Sequence, residues 1–166
     1  MKLYRIILVD DEEEVRKSII RKIKWEENGF LVAGDAENGE DALEKIELLE
    51  PDLILTDIRM PYMDGLTLAE RVRQKYPSMK IVIFSGYDDF EYAKQAIKLN
   101  VTEYILKPVN VEELTAILQK IKANLDQEIE QKRNVNLLRE NYIKSLPILR
   151  EQFLNELVNA PIAYET

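Results

Sequence analysis

The sequence predicts an α/β fold: a doubly wound, five-stranded parallel sheet carrying a C-terminal helical extension. Three observations predict it. Five short apolar runs alternate with five stretches whose apolar residues recur three and four positions apart, the helical spacing. The runs are almost continuously apolar, as strands buried on both faces are. Turn and cap residues punctuate the junctions between them. Helices covering both faces of such a sheet account for all three.

The first strand is expected at about 4–9, where Tyr4 leads into Ile6-Ile-Leu-Val9, with a helix at about 13–24. Phe30 opens a second strand at about 30–35. A helix at about 39–49 follows, with Asn38 as N-cap three residues before Asp41 and Pro51 beyond its end. The third strand is Leu53-Ile-Leu-Thr56, and its helix, about 65–75, stops before Pro77. Lys80-Ile-Val-Ile-Phe84 is the fourth strand. Asp88 and Glu91 mark the start of a helix at about 88–98, and Asn100 stands where a left-handed C-cap is expected. Glu103-Tyr-Ile-Leu106 is the fifth strand, and Asn110 with Glu113 starts a helix at about 110–124. Right-handed crossovers leave strand order 2-1-3-4-5 as the expected topology, the flavodoxin-like arrangement. Its first and third strands are neighbours, and ligands bind at the switch point beside their carboxyl ends.

Beyond residue 124 the pattern changes. Val135, Leu138, Tyr142, Leu146, Leu149, Phe153 and Leu157 repeat at 3-4-4-3-4-4, one stripe along a helix. Pro147 is expected to start a second helix there. Residues 126–134 are almost all polar. Residues 1–124 thus read as one domain and 125–166 as a helical linker whose stripe needs a partner. A tail folded back on the domain is the alternative.

Composition excludes several function classes. A net charge of −8 argues against a nucleic-acid-binding face on this stretch. With no cysteine there are no disulfides or thiolate metal sites. With no histidine there is no Ser-His triad and no phosphohistidine formed on this chain. No apolar run approaches membrane-spanning length and no signal-type segment opens the chain, so it reads as cytosolic.

What remains is carboxylates, hydroxyls and lysine. Asp10 and Asp11 end the first strand, and Asp57 ends the third across the switch point. Three carboxylates so placed repel one another unless a hard cation such as Mg2+ stands between them. Such an ion also neutralises an approaching phosphoryl group and makes a carboxylate a usable nucleophile. Lys107 adds a point charge and Ser85 a hydroxyl at neighbouring strand ends. In-line phosphoryl transfer needs mainly positioning and charge neutralisation. Taken singly, each residue has a plainer role: a strand-terminal Asp caps a helix, Ser85-Gly86 makes a turn, and Lys107 is a surface charge. Their coincidence at four strand ends is what favours chemistry.

At these residues the chain resembles the receiver domain of a two-component response regulator. The likeness covers about residues 3–124. It rests on Val9-Asp-Asp-Glu12, Thr56-Asp-Ile-Arg-Met-Pro61, Met63-Asp-Gly65, Phe84-Ser-Gly86 and Leu106-Lys-Pro108. The resemblance implies that Asp57 takes a phosphoryl group from a phosphohistidine on a sensor histidine kinase. It implies that Asp10, Asp11 and Asp57 hold Mg2+ with the backbone carbonyl of Arg59, and that Ser85 and Lys107 bind phosphoryl oxygens. A cis peptide before Pro108 is also implied. Ser85 and Tyr104 match the family's switch pair, which remodels the face of the fourth helix, fifth strand and fifth helix. Arg59 and Tyr87, two residues beyond Asp57 and Ser85, are expected to tune the lifetime of the phosphate.

Trp25-Glu-Glu-Asn-Gly-Phe30 and Ser85-Gly-Tyr-Asp-Asp-Phe-Glu-Tyr92 are similar to receivers that precede AraC-type DNA-binding domains. No basic recognition helix follows residue 124, so DNA contact and transcription control are expected only through an output domain outside this stretch. A homodimer through the fourth-to-fifth-helix face or the tail is expected, and no membrane partner. Three other readings compete. A phosphatase of the haloacid dehalogenase type needs a second Asp two residues after its nucleophile, where this chain has Arg59, so a turnover enzyme is not expected. A phosphorylation-independent scaffold would not need the full set of site residues. FMN binding needs donors where the first loop carries carboxylates.

Overall fold

The computed structural model describes residues 2–86 and 90–159, with side chains described for 2–86 and 91–145. It divides into two compact units, Met1–Ala123 and Asn124–Thr166.

In the first unit five parallel strands lie in the order β2-β1-β3-β4-β5. They are β1 (Tyr4–Val9), β2 (Phe30–Ala36), β3 (Leu53–Asp57), β4 (Lys80–Ser85) and β5 (Glu103–Leu106). The helices are α1 (Glu13–Lys22), α2 (Gly39–Leu49), α3 (Gly65–Lys75), α4 (Phe90–Lys98) and the start of α5 (Val111–Asn159). This is the expected flavodoxin-like sheet. Because successive strand residues face opposite sides, the central strands feed two cores. Ile7, Val9, Ile54, Ile81 and Ile83 pack in one cluster with Ala42, Ile46, Leu68, Val72 and Ala96 from α2, α3 and α4. The alternate residues Ile6, Leu8, Leu53, Leu55, Val82 and Phe84 are equally buried toward the other face. There Ile19 of α1 and Leu114, Leu118 and Ile121 of α5 are buried too.

The caps explain where the helices begin. Asn38 accepts the Asp41 N–H at 2.8 Å and Asn110 accepts those of Glu112 and Glu113. Asp64 caps α3 through the Thr67 N–H at 2.7 Å. Asn100 adopts φ 57°, as its C-cap position required. The expected cap at Asp88 lies outside the described residues. α1 ends at Lys22 rather than 24, because the chain then tightens into a 3₁₀ turn over Glu26–Asn28 closed by Gly29 at φ 87°. The Trp25 indole is buried there and donates to the Ile20 carbonyl at 3.0 Å. β2 carries a bulge: Val32 pairs with Ile6 but Gly34 with Ile7, leaving Ala33 extra.

In the second unit the helix runs on to Asn159 without restarting at Pro147, contrary to the expectation from sequence. A proline removes one helical hydrogen bond, to the carbonyl four residues earlier. That residue is Ile143, which is exposed, so water can take the carbonyl's bond. Val135, Leu138 and Tyr142 of the apolar stripe are exposed; the side chains of Leu146, Leu149, Phe153 and Leu157 lie outside those described. Among the described residues no helix is long and apolar enough to cross a membrane.

Candidate functional site

The carboxyl ends of β1, β3, β4 and β5 lie side by side, which delivers their terminal residues to one place. Asp10 follows β1; its N–H donates to the Ala36 carbonyl at 3.0 Å, prolonging the ladder by one bond. Asp57 is the last residue of β3. Lys107 follows β5, and its N–H donates to the Ser85 carbonyl at 2.7 Å, aligning the ends of β4 and β5. The Lys107–Pro108 peptide is cis, as expected.

Asp10, Asp11 and Asp57 each offer a carboxylate oxygen, and these atoms lie within 4.8 Å of one another. Asp10 and Asp57 are buried, whereas Asp11 is exposed at the mouth. Asp10 uses Oδ1 to accept the Glu12 N–H at 2.9 Å, and Asp57 uses Oδ1 for the Ile58 N–H at 2.8 Å. Lys107 Nζ spans the two other oxygens, 3.0 Å from Asp10 Oδ2 and 3.2 Å from Asp57 Oδ2. It lies 5.3 Å from the centre of the Phe84 ring. A hard divalent cation takes oxygen ligands of this kind, so the donor set fits Mg2+.

Burial raises the pKa of Asp57, and the charge of Asp10 adds to the rise. The Lys107 ammonium and the Ile58 N–H oppose it without cancelling it. Burial alone would lower Lys107, but hydrogen bonds and charge from Asp10 and Asp57 outweigh it and raise its pKa. Lys107 thus bridges the two buried carboxylates, while Asp11 stands exposed beside them.

Ser85 is buried at the end of β4. Tyr104 pairs with Ile83, two residues before Ser85, and so shares its face of the sheet. Its ring packs on the α2–α3–α4 core, while its hydroxyl is buried and has no hydrogen-bond partner among the described residues. Arg59 lies in the loop after β3 with its guanidinium 5.8 Å from the centre of the Tyr92 ring. Tyr87 lies outside the described residues. The structure thus gathers Asp10, Asp11, Asp57 and Lys107, with Ser85 on the adjoining strand end.

Two features of the site were not read from the sequence. Gly65, the first residue of α3, donates its N–H to the Ile58 carbonyl at 2.7 Å, and a Cβ at this position would strike the Asp57 backbone. Arg16 of α1 reaches the main chain of Asp10. Only the run Met63-Asp-Gly65 hinted at the first; nothing marked the second.

A family profile described as the response regulator receiver domain matches residues 6–119. The chain belongs to that family. Its receiver domain is similar in structure to that of AraT, a response regulator from Geobacillus stearothermophilus, with TM-score 0.72 and 39% identity over 76% of this chain and 98% of the other. It also resembles a two component transcriptional regulator AraC from Clostridium phytofermentans, with TM-score 0.69 and 35% identity over 75% and 98%. Among curated proteins, the uncharacterized transcriptional regulatory protein YesN of Bacillus subtilis is 37% identical over 94% of this chain and 42% of its own length. The transcriptional regulatory protein HptR of Staphylococcus aureus is 31% identical over 95% and 61%. The chain therefore spans about half the length of such relatives.

Proposed function

We propose that Asp57 is a reversible phosphoryl acceptor, loaded by a sensor histidine kinase and switching a transcriptional output. The observation that carries this is the acidic cluster with Lys107 bridging Asp10 and Asp57. In the transfer, Asp57 Oδ2 forms a P–O bond as the donor's P–N bond breaks, and the leaving imidazole keeps the electron pair. Asp10, Asp11, Asp57 and the Arg59 carbonyl would hold Mg2+, which supplies positive charge against the carboxylates and the phosphoryl oxygens. Lys107 and Ser85 bind those oxygens, Lys107 by releasing its hold on Asp57. The chain is loaded once per event and is not a turnover enzyme.

Ser85 and Tyr104 form the switch: the Ser85 hydroxyl turns to the phosphate, and Tyr104 fills the space behind it. Their shared sheet face and the Tyr104 hydroxyl, buried without a partner among the described residues, support this. Arg59 and Tyr87 set how long the phosphate lasts. Residues 1–124 act as the phosphoacceptor domain and 125–166 as the link to an AraC-type DNA-binding output outside this chain, a reading the regulators named above support. The exposed stripe of the tail, or the face of α4 and α5, joins two copies. Sedimentation of a monomer at high concentration, with and without a phosphate mimic, would remove that last element.

The deciding experiment is incubation with Mg2+ and a small phosphodonor, followed by intact mass measurement. The parent chain gains one phosphate-sized mass and Asp57→Asn gains none. An equal gain in both would place the acceptor elsewhere.

A further inference from the structure

Arg16 is a charged side chain only 12% exposed, one turn into α1. Its fork is divided between two acceptors. Nη1 donates to the main-chain carbonyl of Asp10 at 2.6 Å, and Nε donates to Asp35 Oδ2 at 2.8 Å. Asp35 is itself fixed: it pairs with Leu8 in the sheet, and its main-chain carbonyl accepts from Lys45 Nζ, which also bonds Asp41 at 3.1 Å.

The Asp10 carbonyl is where the sheet stops helping. The Asp10 N–H closes the last ladder bond to Ala36. Its carbonyl belongs to the peptide that joins Asp10 to Asp11 and so sets where two of the three clustered carboxylates stand. A guanidinium is suited to hold it, being a rigid planar fork that reaches two acceptors at once. Its charge is a liability there, because a bare cation beside the cluster would repel an incoming metal ion. Asp35 removes that liability by pairing with the same guanidinium.

We infer that Arg16 is a positioning residue for the acidic cluster: it fixes the Asp10–Asp11 peptide, while Asp35 cancels its charge so that the cluster keeps its pull on Mg2+. This rests on the phosphoacceptor reading of the same site. Groups that orient metal ligands from behind typically carry about 10–100-fold in metal affinity.

The test is Mg2+ titration by calorimetry on the parent, Arg16→Ala, Arg16→Lys and Asp35→Asn at low and high salt, with thermal melting of each without metal. Arg16→Lys keeps the charge and loses the fork; it and Arg16→Ala should each bind Mg2+ about 10–100-fold more weakly at both salt concentrations. Asp35→Asn keeps the fork but uncovers the charge; its deficit should shrink as salt screens it. Arg16 variants that melt lower yet bind Mg2+ like the parent would reduce Arg16 to a structural residue and overturn the inference alone. A parent that binds no Mg2+ and takes no phosphoryl group would overturn the site reading and this inference with it. Should Arg16→Ala not fold, the other two variants decide.

Discussion

Replacing Gly65 by alanine is the sharpest single test of how α3 is seated against β3 and the proposed phosphoacceptor Asp57. The added Cβ would lie 2.9 Å from the Asp57 carbonyl carbon and 3.0 Å from the Ile58 Cα, and nearer still to the Asp57 carbonyl oxygen. Ordinary contact for a Cβ begins near 3.4 Å, so α3 and the end of β3 must part by about half an ångström against that carbon alone. These neighbours are backbone, held by the Gly65 N–H bond to Ile58 at 2.7 Å, and cannot swing aside as a side chain would. Overpacking of this kind costs about 1–3 kcal/mol. Each kcal/mol lowers Tm by about 2–4 °C in a chain of this size. The displacement falls on Asp57 itself, and misplacement of a reacting group by about 1 Å costs on the order of 100-fold in rate. Gly65→Ala should therefore melt several degrees lower and load phosphate at least about tenfold more slowly, read by calorimetry and by intact mass against time. Gly86→Ala is the control, since among the described residues a Cβ there meets nothing within 4 Å. A Gly65→Ala chain with the parent's Tm and loading rate would refute the close-approach argument.

Tyr104→Phe removes a buried hydroxyl that lacks a partner among the described residues, and should raise the metal-free stability by about 1 kcal/mol in urea denaturation. A clear loss of stability would show that the hydroxyl is satisfied in solution. The raised pKa of Asp57 has a definite sign in pH dependence. The folded chain holds this proton more tightly than the unfolded chain, so stability falls as pH rises from the ordinary carboxylate value of 3.8 through the higher folded value. Asp57→Asn lacks that term; without metal it should be the more stable chain at neutral pH, the advantage vanishing below the window. Parallel stability curves for the two proteins would contradict the cause assigned to the shift.

The sheet was legible because β1, β3 and β4 are buried on both faces, and Ile, Leu and Val in unbroken runs admit few other readings. β2 was read one residue short, since its second half, Ala33 to Ala36, is polar or small and hides the bulge. Asp10, Asp11, Asp57 and Lys107 could be placed together because topology alone brings strand ends to one edge. Arg16 and Asp35 escaped notice for the opposite reason. They stand 19 positions apart on different elements, and each looks in sequence like an ordinary surface charge. Pro147 misled because proline's local penalty was read as a boundary, although one lost bond near water does not end a long helix.

The extra residue in β2 has a consequence for parity. In a regular strand, Phe30 and Asp35, an odd number of steps apart, would point to opposite sides. Here they pair with Tyr4 and Leu8, two even-numbered neighbours on β1, and so point the same way. One surplus alanine thus lets a single edge strand anchor an aromatic ring at its start and present an acid on the same side at its end, where strict alternation would have forced a choice.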